Sequence, residues 1–136
     1  MKTLRRKPTD GELAILRILW SRGPSTVRQV AEALGRETGY TTALKLLQIM
    51  TEKGLVVRDE RERTHVYQPA CSEDETQRTL VSDLLKRAFG GSAAKLVLQA
   101  LAGRKTSPEE LAEIKKLLRA ANGPATSDAS KPGGSR

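Results

Sequence analysis

A chain of 136 residues suits one domain, or one small domain with an appendage, and no apolar run approaches the ~18 residues that span a bilayer. The net charge of +8 favours a polyanionic partner, and residues 1–70 carry the heavier share, with 13 Lys/Arg against 8 Asp/Glu. One cysteine, Cys71, and one histidine, His65, exclude an intrachain disulfide and a Cys/His zinc cluster, while 3% aromatic residues argue against a base-stacking RNA binder.

Residues 1–8 read as a basic arm, either a frayed terminus or a source of phosphate contacts from Arg5 and Arg6. The polar Pro8-Thr9-Asp10-Gly11 that follows builds no signal peptide, so a cytoplasmic protein without membrane insertion is expected. Thr9 and Glu12 have capping-box spacing and open a first helix. That helix is apolar over most of its circumference through Leu13, Ile15, Leu16, Ile18, Leu19 and Trp20, which places it at the centre of a core. Gly23-Pro24 breaks the chain. Thr26 and Gln29 then repeat the capping box and start a short helix, with Val27, Val30, Ala31 and Leu34 inward, that Gly35 ends.

A third helix is predicted from about Thr41 to Lys53, stopped by Gly54. Its inner stripe is Ala43, Leu46, Leu47 and Met50 at i, i+3, i+4, i+7 spacing. The opposite face carries Thr41, Lys45, Gln48 and Glu52, with Thr42 beside it. Hydroxyls, an amide and a long cation suit the edge of a DNA groove: Thr for a thymine methyl, Gln for adenine, Lys for guanine or phosphate. An ordinary amphipathic surface helix would show a similar face, so the surrounding pattern decides. Leu55 to Arg58 and Arg63 to Tyr67 flank a charged connection and read as a hairpin closed by Pro69. Three helices followed by a two-stranded ribbon is the order of a winged helix-turn-helix, whose third helix enters the major groove. Backbone contacts are assigned to Arg28 of the second helix and to Arg58, Arg61 and Arg63 of the hairpin. No catalytic constellation, metal cluster or cofactor motif is present, so no enzyme and no cofactor are expected.

In the second half, Ser72 and Glu75 open a helix with Leu80, Val81, Leu84, Leu85, Ala88 and Phe89 on one stripe, ended by Gly90-Gly91. Ser92 caps a shorter helix with Leu96, Val97 and Leu101. Ser107-Pro108 starts a third, with Leu111, Ile114, Leu117 and Leu118, terminated by Asn122-Gly123-Pro124. Three short helices bury little apolar surface alone, so residues 71–122 are expected to pair with a second copy through Leu80, Leu84, Leu96, Leu111, Ile114 and Leu118. Folding back on the winged helix as a monomer is the alternative. Residues 123–136 are Ser/Gly/Pro-rich without pattern and are expected to be disordered.

The ordered set of motifs resembles the penicillinase-repressor family, regulators of β-lactamase and methicillin-resistance genes. The residues that carry the likeness are Glu12-Leu13, Leu19-Trp20, Gly39 to Thr42, Leu46-Leu47, Glu52 to Leu55, Arg63 to Pro69, Phe89 to Ser92, Leu96-Val97 and Ser107 to Leu111. The resemblance implies a homodimeric repressor on a palindromic operator, with Tyr40, Thr41, Thr42 and Lys45 facing DNA and a wing at Arg58 to Arg63. It also implies release when a membrane sensor system leads to cleavage in the dimerisation region. The chain departs from the family at Leu44 and Ile49, where polar residues are usual. It reads Leu98-Gln99-Ala100-Leu101 where the best-known members carry an Asn-Phe cleavage site, and it lacks the cysteine cluster of the copper-responsive branch. A winged helix serving as a protein-interaction module is the rival from another class.

Overall fold

The computed structural model describes residues 7–103 and 105–121; the arm arginines Arg5 and Arg6, the stop at Asn122 and the tail 123–136 lie outside the described residues. Six helices and one hairpin follow in the order α1 (Asp10–Arg22), α2 (Val27–Leu34), α3 (Tyr40–Lys53), β1 (Val56–Asp59), β2 (Val66–Pro69), α4 (Glu73–Ala88), α5 (Ala93–Ala102) and α6 (Pro108–Ala121). The chain divides into two compact units between Ala88 and Phe89, so α4 belongs with the first three helices and the hairpin.

Local chemistry sets the helix ends of the first unit. The Glu12 amide donates to Thr9 Oγ1 at 3.2 Å while the Thr9 amide donates to Glu12 Oε1 at 2.9 Å. Thr26 and Gln29 make the same reciprocal pair at the start of α2, so two of each helix's orphan donors and their caps satisfy one another. Gly54 ends α3 with φ 81° and ψ 17°, a left-handed conformation that glycine adopts without a Cβ penalty. The predicted inner stripe of α3 is buried at Ala43, Leu47 and Met50. It packs with Ile15, Leu16 and Leu19 of α1, Val27 and Val30 of α2, and Leu55, Val56 and Tyr67 of the hairpin. Trp20 is half-buried against this core, and its indole N–H donates to the Cys71 carbonyl at 3.1 Å, tying α1 to the entry of α4.

Glu12 has a second partner that its cap does not reveal. Lys53 Nζ, at the far end of α3, lies 2.8 Å from Glu12 Oε2 and 3.0 Å from Oε1. The carboxylate is only 2% exposed. Burial pushes its pKa up, but the Lys53 ammonium and the Thr9 bonds outweigh burial and hold it below the ordinary value. A buried, ionised carboxylate thus joins the start of α1 to the end of α3.

The hairpin differs from its sequence reading in register. β2 runs from Val66 to Pro69, not from Arg63 to Tyr67, and pairs antiparallel with β1 as Val56↔Pro69, Val57↔Gln68, Arg58↔Tyr67 and Asp59↔Val66. The cause is a third backbone segment: Ser25, in the turn before α2, exchanges hydrogen bonds with Tyr67 at 3.0 and 2.8 Å. That bridge, with the Ala70 amide donating to the Leu55 carbonyl at 2.9 Å, pins the strand late and leaves Glu60 to His65 as the wing loop.

In the second unit, Ser92 Oγ accepts from the Lys95 amide at 3.1 Å and Ser107 Oγ from the Glu110 amide at 3.0 Å, so both predicted caps form. Neither α5 nor α6 contains a buried residue. Leu98 is 61% exposed, Leu117 59% and Leu118 55%. Leu111 and Val97 are exposed as well, while Leu96 and Ile114 are half-buried. On α4, within the first unit, Val81 and Leu84 are exposed and Leu80 is half-buried.

Candidate nucleic-acid interface

The face of α3 away from the core is solvent-exposed at Tyr40, Thr41, Thr42, Lys45, Gln48 and Glu52. Thr41, Lys45, Gln48 and Glu52 follow one another at i, i+4, i+7, i+11, so they form a single row along a helix whose other side is anchored in the core. The N-cap of α3 is Gly39, with no side-chain cap bond, so the first turn presents Tyr40, Thr41 and Thr42 without an intervening capping group. Lys45 enters no ion pair among the described residues. A core-anchored helix with an exposed hydroxyl, ammonium and amide in one row, ending in the acceptor carboxylate of Glu52, is suited to reading base edges.

Leu44 and Ile49, which depart from the family's polar pattern, are half-buried. Leu44 packs against the core, so its apolar character is structural and the outward row is not interrupted.

The three wing arginines are not equivalent. Arg58 Nε lies 2.6 Å from Glu60 Oε2, and contact with Tyr67, ahead of Glu60, raises its pKa further above the ordinary value. Arg61 grips Asp59 with three guanidinium bonds, 2.7 Å from Nη2 to Oδ2, 3.0 Å from Nε to Oδ1 and 3.1 Å from Nε to Oδ2. That grip, with the Arg61 backbone amide, holds the Asp59 carboxyl at about 2. Positions 58 to 63 hold three arginines and three carboxylates and carry no net charge. Arg63 alone of the three arginines has no carboxylate partner among the described residues. The hairpin therefore offers phosphate one uncommitted cation, and the other two must first exchange a carboxylate for it.

Between α2, the start of α3 and the wing lies a cleft of about 530 Å³. Thr26, Val27 and Arg28 form its α2 wall, Tyr40 and Leu44 its α3 wall, and Arg63, Thr64 and His65 its wing wall, with Tyr67 between them. A second hollow of about 370 Å³ adjoins it through Arg28 and Tyr40 and adds Arg36 together with the carboxylate of Glu32. The structure therefore brings Arg28, Tyr40 and Arg63 together, as one basic corner beside the α3 row. Sequence reasoning missed Thr26, Thr64, His65 and Arg36 at this corner. The clue available was the polar run Arg63-Thr64-His65 immediately before a strand, which reads as loop only once the strand's true start is known.

No helix among the described residues is long and apolar enough to cross a membrane, and no group of His, Cys, Asp and Glu among them is placed to hold a metal ion.

The profile of the family described as penicillinase repressor matches residues 8–120. The transcriptional regulator BlaI of Mycobacterium tuberculosis is 43% identical over 92 residues, covering 65% of this chain and 67% of its own length. Among solved structures, the chain is similar to the Bacillus licheniformis BlaI monomeric form in complex with the blaP half-operator, at 22% identity and a TM-score of 0.46. That likeness covers 55% of this chain and 93% of the other. A MarR family protein from Bacillus stearothermophilus aligns at 21% identity and a TM-score of 0.49, over 89% of this chain and 77% of that one. The family match spans nearly all of the described residues, from the first capping box through α6, and encloses both the winged helix and the exposed α3 row. The chain belongs to the penicillinase repressor family of DNA-binding transcriptional regulators.

Proposed function

We propose that the protein is a sequence-specific repressor that binds a palindromic operator as a homodimer in the cytoplasm, with Tyr40, Thr41, Thr42, Lys45 and Gln48 reading or flanking base edges. The exposed polar row on a core-anchored α3 is the observation that carries this reading. Arg28 and Arg63 supply backbone contacts beside it, with Arg58 and Arg61 as contacts that must first leave their carboxylates. Dimerisation is supported by α5 and α6, which leave Leu98, Leu117 and Leu118 uncovered. A two-fold pair of winged helices requires a two-fold operator. Relief of repression is assigned to loss of that pairing, by cleavage or displacement within Ser92 to Lys105, under a membrane sensor and protease system that answers a resistance or stress signal.

Selection of duplexes from a random pool by the full chain tests the reading. Two inverted half-sites, with centres spaced by about 10 base pairs or a multiple, are the expected product. Recovery of no preferred sequence would favour a protein-interaction module instead.

A further inference from the structure

Charge is distributed unevenly around the wing, and the cleft between it and α2 lies on the positive side. Asp59 at the end of β1 and Glu60 and Glu62 in the wing loop are the carboxylates nearby in the chain, yet none of them lines the cleft. Its polar groups come from three elements: Thr26 and Arg28 from α2, Tyr40 from α3, and Arg63, Thr64 and His65 from the wing. The other lining residue able to titrate is Tyr67 of β2. Every charged or protonatable side chain facing the space is thus a cation, a phenol or an imidazole, and none is a carboxylate.

Two features of the fold add to this. The first residues of α2 and of α3 both line the cleft, and negative charge is favoured beside a helix N-terminus. The base of the cleft is also fixed, because the paired hydrogen bonds between Ser25 and Tyr67 join the residue preceding Thr26 to the strand that follows His65. The α2 wall and the strand from which the wing wall extends therefore belong to one folded frame. A phosphate, with its negative charge and acceptor oxygens, is the chemistry that such a donor set matches.

We infer that this cleft seats one backbone phosphate of the bound duplex between Arg28 and Arg63, and that His65 takes up a proton when it does so, coupling the grip on DNA to pH. The inference rests on the DNA-binding reading above and adds to it a named phosphate position and a titrating residue. The direction follows from linkage: an anion beside an imidazole favours the protonated form, so binding strengthens as pH falls. His65 is the only histidine in the chain, so no second imidazole can supply the same dependence. A histidine whose protonated form is favoured tenfold by a phosphate changes affinity roughly sixfold between pH 6 and pH 8.

The test is a fluorescence anisotropy titration of the full chain against a mixed-sequence duplex of about 30 base pairs, at pH 6, 7 and 8 and constant ionic strength, with His65→Gln beside the unaltered protein. His65 is exposed, so the substitution leaves the core intact. The unaltered protein is expected to weaken roughly sixfold across that range, while His65→Gln stays within about 1.5-fold once the duplex's own dependence is subtracted. Parallel slopes for the two proteins would overturn the inference while leaving DNA binding standing. Failure of the unaltered protein to bind duplex at any of the three pH values would overturn the DNA reading and the inference with it. Proton resonances of the His65 ring distinguish the phosphate's source: the duplex should shift their titration upward. An equal shift with inorganic phosphate alone at matched ionic strength would assign the cleft to a free anion and overturn the DNA assignment.

Discussion

Replacing Leu117 and Leu118 together by aspartate is expected to convert the protein to a monomer and to weaken operator binding by a factor on the order of 10²–10⁴. Neither residue lies near α3 or the wing in the chain, and both are more than half exposed within one copy. The substitution therefore removes no contact that a single winged helix makes with DNA. What it removes is avidity: once one half-site is occupied, a linked second winged helix finds the other as an intramolecular step. Sedimentation of the variant should report the mass of one chain. Its affinity for an isolated half-site should match that of the unaltered protein, while affinity for the full operator collapses toward the half-site value. An unchanged mass, or full operator affinity in a monomer, would remove α6 from the interface.

Lys53→Met is expected to cost about 3–5 kcal/mol of stability, because it leaves the Glu12 carboxylate buried without its ammonium partner. In a small domain this lowers the melting temperature by more than about 10 °C. Glu12→Gln should cost less. Its amide oxygen can still accept from the Thr9 amide, and the ammonium it leaves behind is 19% exposed and can reach water. The double variant should fall short of the sum, as contacting partners do. pH supplies the sharper signature. Glu12 has a folded-state pKa below its ordinary value, so its contribution is complete above about 4.5 and is lost as pH falls through the folded value. Protonation removes the ion pair in the unaltered protein too, so the deficit of Lys53→Met should shrink as pH is lowered from neutrality. A deficit independent of pH would mean that packing of the lysine stem, and not the charge pair, holds α1 to α3.

Much of the winged helix was legible in the sequence because its signals are local. Thr9 with Glu12 and Thr26 with Gln29 announce helix starts three residues ahead, and the structure shows both reciprocal bonds. Gly54 marks the end of α3 for a reason internal to its own backbone. Features that depend on residues far apart in the chain were hidden. Nothing in the spacing of Glu12 reveals Lys53, 41 positions away, and the capping role alone accounts for a glutamate there. The start of β2 was misplaced by three residues because Arg63, Thr64 and His65 suit a strand as well as a loop, and the Ser25 bridge that decides between them is tertiary. The candidate interface divided the same way. The α3 row could be read from periodicity, but the cleft needed three elements brought together. The choice of Glu60 for Arg58, and of Asp59 and not Glu62 for Arg61, likewise needed the wing's conformation.

If the exposed α3 row chooses the sequence while arginines elsewhere hold the backbone, Lys45→Ala should lower the preference for operator over random duplex. The measurement is the ratio of operator affinity to random-duplex affinity at one fixed salt concentration, for the unaltered protein and for the variant. Lys45 is exposed and unpaired with any carboxylate among the described residues, so its loss should leave the fold as it is. A single base-edge contact is worth roughly 1–3 kcal/mol of discrimination, so the ratio should fall by a factor of about 5 to 150. An unchanged ratio with both affinities reduced alike would make Lys45 a backbone contact and would contradict the assignment of sequence reading to this face.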